Sequence, residues 1–139
     1  GGSQGGMFTF AVCALDHRVK AGAPSIPLSD FENYIKVVQQ WPTQNIQKLS
    51  GQIQDTNLKR FFDVLSYFDV KNMAEWIKCP IYMAAGLQDE MCPNRVNFAV
   101  YNNLKTEKKW IIYHDQGHST PKEWNEEKLR FYREKLEIK

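Results

Sequence analysis

The sequence predicts an α/β fold, a parallel sheet flanked by helices, on three observations. Two short apolar runs, 81–86 and 108–113, stand between turn signals at strand length. Stretches of helical periodicity alternate with them, which favours parallel strands joined by helices. The composition is 42% hydrophobic and 24% charged over 139 residues, which suits one globular domain spanning 1–139.

The same numbers exclude several function classes. Lys+Arg 18 against Asp+Glu 16 leaves a net charge of +2, without the basic stripe of a nucleic-acid binder. No apolar run approaches the roughly 20 residues of a membrane-spanning helix. Cys13, Cys79 and Cys92 form no CxxC pair and no Cys/His cluster at zinc spacing. They read as small buried apolar residues, and neither a metal nor another cofactor is expected. The chain opens on Gly1 with no basic stretch and no apolar signal segment, so a cytoplasmic location is the expectation.

Taken in order, Met7, Phe8, Phe10, Ala11, Val12, Ala14 and Leu15 make a helix apolar nearly all round, which should be buried. Asp16-His17-Arg18 ends it, and Val19 to Ala23 reads as a strand stopped by Pro24. Residues 29–66 read as a helical, cap-like insertion. Ser29 or Asp30 caps a helix carrying Phe31, Tyr34, Ile35, Val37 and Val38, which Trp41-Pro42 breaks. A second helix falls near Gln44–Leu49, and a third carries Leu58, Phe61, Phe62, Val64 and Leu65. The aromatics Phe31, Tyr34 and Trp41 are expected in the core. Met73 to Ile77 adds a helical turn. After the buried strand from Ile81, Pro93 opens a helix at a position that tolerates proline. The last helix, Trp124 to Leu136, has an expected inner stripe of Leu129, Tyr132 and Leu136.

Three residues stand where chemistry is made. Gly1-x-Ser3-x-Gly5 has the form of a nucleophile elbow, a tight strand-to-helix turn that holds a serine in a strained backbone. Side chains on the flanking glycines would collide with the adjoining strand or helix. Read alone, Gly-Gly-Ser at a chain start suits a flexible linker better. Asp89 follows the strand that begins at Ile81, where an acid can orient an imidazole, although a lone Asp there also suits a turn. His118 lies in a loop after the strand ending at Tyr113, with Gly117 allowing a tight turn. His114, at that strand's end and expected to be packed, is the rival base, and His17 at a helix end is less well placed. The order Ser…Asp…His is that of the α/β-hydrolases, and it makes a chance linker serine a poor account.

Four stretches carry a more specific likeness. They are Gly1-Gly2-Ser3-Gln4-Gly5-Gly6, Ala14 through Ala21, Ser66-Tyr67-Phe68-Asp69-Val70-Lys71-Asn72, and Ile77 through Asn102 with Asp89-Glu90-Met91-Cys92-Pro93 inside it. In them the chain resembles the carboxy-terminal half of the acetyl xylan esterase and cephalosporin-C deacetylase family. The resemblance implies the C-terminal portion of an α/β-hydrolase fold, with Ser3 as nucleophile, His118 as base, Asp89 as orienting acid and the Gln4 backbone N–H in the oxyanion hole. It implies a metal-free serine esterase that removes acetyl groups from xylo-oligosaccharides or cephalosporin C. Ser119 stands where the family usually has Glu, and Asn94 where it usually has a second Pro. The family's upstream Arg-Gly-Gln motif and oxyanion-hole tyrosine find no match here.

Two other readings stay open: a non-catalytic fragment acting through association, and another α/β-hydrolase of the dienelactone hydrolase or prolyl-oligopeptidase type. Alone, the chain is expected to lack activity and to associate with an N-terminal half or a copy of itself, because the 19–23 strand would present an unpaired edge.

Overall fold

The computed structural model describes residues 1–40, 43–51 and 55–137. Trp41 and Pro42, read above as a helix break and a core aromatic, lie outside the described residues. Among the described residues, seven helices surround a parallel sheet: α1 Gln4–Leu15, α2 Phe31–Val37, α3 Thr43–Ser50, α4 Asp55–Ser66, α5 Val70–Met73, α6 Asn94–Asn103 and α7 Glu123–Lys135. A short 3-10 turn, Ala74–Trp76, follows α5.

Strand β1, Ile81–Gly86, is buried along its whole length and pairs in parallel with β2, Lys108–Tyr113, from Ile81 opposite Lys108 to Gly86 opposite Tyr113. A continuous apolar strand needs cover on both faces, and helices supply it. Phe10, Cys13 and Ala14 of α1 pack with Val70, Ala74, Ile81, Met83 and Val100 in one cluster. Trp124 of α7 packs with Ala23, Tyr82 and Ala84 in another. A third cluster, Tyr34, Ile35, Val38 and Val96, joins α2 to α6, with Phe61, Phe62 and Leu65 of α4 against it.

The strand expected over 19–23 lies further on. The chain runs alongside β1 through single parallel bridges at Gly22 opposite Ile81 and Ser25 opposite Ala84. Pro24 does not stop this run. It has no N–H to give, so the ladder is discontinuous, but its carbonyl accepts the Ala84 N–H at 3.1 Å. On the other side Ser25 bridges Gly2 in parallel, with Ser25 N–H to Gly1 O at 2.9 Å and Ser3 N–H to Ser25 O at 2.9 Å. Gly1 to Ser3 therefore run into the sheet beside 22–26 and turn directly into α1.

Three other expectations are corrected. Helix α1 begins at Gln4 and is not buried all round: Phe8 and Val12 are each 52% exposed and Leu15 66%. Asp30 precedes α2 in a left-handed conformation (φ 52°) and its side chain makes no capping bond. The inner face of α7 is Trp124, Phe131 and Tyr132, whereas Leu129 and Leu136 face solvent. Trp124 is the anchor because its indole N–H reaches Ser25 Oγ at 2.6 Å, satisfying both buried groups.

Candidate active site

The elbow, the loop after β1 and the loop after β2 meet at one end of the sheet, the carboxyl end of the parallel strands. Ser3 sits between the extended run of Gly1–Gly2 and the first turn of α1, at φ 54° and ψ −123°. That conformation is strained for any residue with a Cβ. The turn holds because Ser3 O accepts three N–H groups, from Gly6 at 2.9 Å, Met7 at 3.1 Å and Leu28 at 3.3 Å. Small residues are needed around it, but not quite as the sequence suggested. A Cβ on Gly1 would lie 2.6 Å from Gly5 O, and one on Gly6 2.9 Å from Ser25 O, whereas Gly5 faces open space.

Asp89 is fixed by the loop it belongs to. Its Oδ1 accepts the Met91 N–H at 2.9 Å and the Cys92 N–H at 2.7 Å, and its side chain is fully buried. The loop carrying His118 is tied to the Asp89 loop by backbone bonds, Leu87 N–H to Tyr113 O at 2.8 Å and Gln88 N–H to Gln116 O at 2.9 Å. The two loops touch so closely that a Cβ on Gly86 would meet Gly117 O at 2.2 Å.

This framework puts three side chains in a row. The His118 Nδ1–H donates to both Asp89 oxygens, at 2.9 and 3.0 Å, because an ionised carboxylate only accepts. That leaves Nε2 as the acceptor, and Ser3 Oγ lies 2.9 Å from it. The ring is part-exposed while Asp89 is sealed, so the row opens to solvent at the Ser3–His118 end. Such a row can draw the hydroxyl proton onto the imidazole as Oγ attacks a carbonyl, while the carboxylate steadies the imidazolium. Gln4 is the first residue of α1. Its N–H belongs to the turn whose donors have no partner inside the helix, at the positive end of the helix dipole.

The other histidines stay outside. His114 is an exposed turn residue just past β2, not a packed one, and its carbonyl accepts from the Gln88 side chain at 3.0 Å. His17 is exposed at the far end of α1. Ser119 bonds Gln116 Oε1 at 2.8 Å, within its own loop, and Asn94 donates to Gly86 O at 3.0 Å. Sequence reasoning missed Cys92. It was read as filler, and its buried thiol fits that reading, but its N–H holds Asp89. Burial, reinforced by the Asp89 charge, pushes that thiol up to about 12. Tyr34, also buried, has its hydroxyl pushed upward by burial and then by Cys92 and Asp89.

The architecture that gathers these residues is that of the α/β-hydrolases. Within that class, residues 1–136 match the family model described as acetyl xylan esterase (AXE1), and the chain belongs to that family. An acetyl xylan esterase from Paenibacillus sp. R4 is similar at 35% identity and a TM-score of 0.90, over 98% of this chain and 44% of its own. Acetyl xylan esterase 1 from Thermoanaerobacterium sp. JW/SL YS485 gives 33% identity and a TM-score of 0.84, over 96% and 44%. Acetyl esterase Axe7A of Xylanibacter ruminicola is 31% identical over 131 residues, 90% of this chain and 28% of that protein. The chain thus spans less than half the length of the relatives it matches.

Proposed function

We propose that this chain supplies the nucleophile, base and acid of a serine carboxylic-ester hydrolase that removes acetyl groups from xylo-oligosaccharides or xylan, with cephalosporin C as a further small acetyl ester. The observation that carries the reading is the continuous row Ser3 Oγ–His118 Nε2 and His118 Nδ1–Asp89, each link at 2.9 Å. Membership of the acetyl xylan esterase family supports the acetyl ester as the substrate class. Ser3 attacks the acetyl carbonyl and His118 takes its proton, then returns it to the departing sugar alkoxide. The Gln4 N–H helps to hold the oxyanion. Water activated by His118 then releases acetate and frees Ser3. Asp89 keeps the imidazole in the tautomer this requires.

The test is acetate release by the full-length protein from acetylated xylo-oligosaccharides. Ser3→Ala and His118→Ala should each lower kcat by about 10⁶-fold, and Asp89→Asn by about 10⁴-fold, with melting temperature little changed. Activity within tenfold of the parent in Ser3→Ala would refute the assignment. A dead His114→Ala beside an active His118→Ala would move the base.

A further inference from the structure

We propose that Asn94 is a positioning residue for the acid: its side-chain amide holds the peptide from which the Asp89 loop departs, and so sets that loop against the one carrying His118. The inference rests on the esterase reading above and extends it to a residue outside the row of Ser3, His118 and Asp89.

The Asp89 loop leaves β1 at the peptide that joins Gly86 to Leu87. The N–H of this peptide donates to Tyr113 O at 2.8 Å, at the end of β2. Its carbonyl, Gly86 O, accepts the Asn94 Nδ2–H at 3.0 Å, from the first residue of α6. One peptide plane is therefore held on both sides, and it cannot rotate without breaking both bonds. The neighbouring run offers this carbonyl no donor. Ile26 N–H meets Ala84 O at 2.7 Å, but Leu28 N–H, two residues on, goes to Ser3 O at 3.3 Å. Gly86 is buried, so its carbonyl needs a partner, and Asn94 supplies it.

This peptide lies where the two functional loops meet. Gly86 approaches the other loop so closely that a Cβ on it would meet Gly117 O at 2.2 Å. Asp89 is three residues beyond Gly86, and His118 is one beyond Gly117. The far end of the Asp89 loop is tied to the same helix, since Asn97 Nδ2–H donates to Cys92 O at 3.2 Å. Helix α6 thus grips the loop at both ends, with Asn94 as the grip at the Gly86 end. Asn94 adds little stability by doing so. Its Oδ1 is buried with no hydrogen-bond partner among the described residues, and an unmet buried acceptor offsets a bond made elsewhere on the same amide. Removing the amide exchanges one unmet oxygen, its own, for another, Gly86 O. Proline, which the resembled family usually carries here, suits the first position of a helix but cannot make this bond.

The experiment measures p-nitrophenyl acetate turnover and melting temperature in the full-length protein for Asn94→Ala and Asn94→Pro, each alone and combined with Asp89→Asn. Alone, each should lose about tenfold in kcat with KM unchanged, because the acid is no longer held in line. Melting temperature should stay within about 4 °C of the parent. Combined with Asp89→Asn, the same change should cost less than about twofold, since residues that act as a unit are not additive. Single variants that both keep kcat within about twofold of the parent overturn the role. A loss undiminished in the Asp89→Asn background overturns it too, because Asn94 would then act other than through the acid. A larger fall in melting temperature overturns it as well and leaves a purely structural bond. Labelling of Ser3 by a fluorophosphonate, read by mass spectrometry, separates the two ideas. A parent that is not labelled at Ser3 overturns the esterase reading and this one with it. A labelled parent with additive losses overturns this one alone.

Discussion

Gly86 closes β1 at the point where the Asp89 loop and the His118 loop are laid against each other. An added methyl would sit 2.2 Å from Gly117 O and 2.4 Å from Gln116 O, both backbone atoms with no rotamer to change. The loops would have to part, and His118, one residue beyond Gly117, would move with them. A displacement of about 1 Å at a reacting group costs on the order of 10²-fold in rate. Gly86→Ala is therefore expected to lower kcat/KM at least about 10²-fold. Acetyl-ester kinetics within threefold of the parent would show that the loops can separate without moving the histidine. Ser3, Asp89 and His118 were legible in the sequence because each follows a strand or turn with a short-range signal. Gly86 was visible only as the last residue of the buried strand 81–86, since its close approach involves a loop 30 positions away.

Among the elements, the helical segment 29–66 depends on one carboxylate that lies outside it. Asp69 Oδ1 accepts the Asp30 N–H at 3.0 Å and Oδ2 accepts the Phe31 N–H at 2.7 Å, capping α2 from 38 residues away. The same Oδ1 accepts the Lys71 N–H at 3.0 Å and caps α5. Lys71 Nζ then pairs with Asp30 Oδ1 at 2.5 Å, and Asp30 and Asp69 are 3% and 2% exposed. The segment's entry and exit are thus latched together beside the site. Asp69→Ala would strand three N–H donors in a buried setting, each loss costing about 1–3 kcal/mol before relaxation. Calorimetry should show a fall of roughly 10 °C in melting temperature. A fall of under about 2 °C would mean that water or a neighbour replaces the carboxylate. Here the sequence misled, because Asp30 has the residue type and position of a helix cap, while the group that performs the task is 39 residues away. The run 22–26 was misplaced for a related reason. Pro24 is a stop signal locally, but here its missing N–H interrupts the ladder without ending it, because its carbonyl still accepts the Ala84 N–H.

Across the whole molecule, the packing of α1 is one-sided. Phe10, Cys13 and Ala14 face the main core, while Phe8, Val12 and Leu15 form an apolar stripe along the opposite side. The stripe borders a groove of about 330 Å³ that reaches Val19 and Ala21. Fully burying a large apolar side chain contributes roughly 1.5–3 kcal/mol, so covering three that are about half exposed still adds a sizeable fraction of a small domain's net stability. A surface of this kind favours a partner over water. The relatives carry more than twice this length of chain, and 35% identity over 98% of these residues leaves the rest of their sequence free to cover such a face. Expressed as these 139 residues alone, the protein is expected to self-associate through the stripe. Light scattering should report a mass that is a multiple of 16.2 kDa. Phe8→Glu with Val12→Glu should shift it toward the monomer, because each places a charge where an apolar contact would form. Helix α1 keeps its inner face in that variant, so circular dichroism should retain the parent's helix content. A parent chain that is monomeric and melts cooperatively would show that the stripe is stable in water and needs no partner.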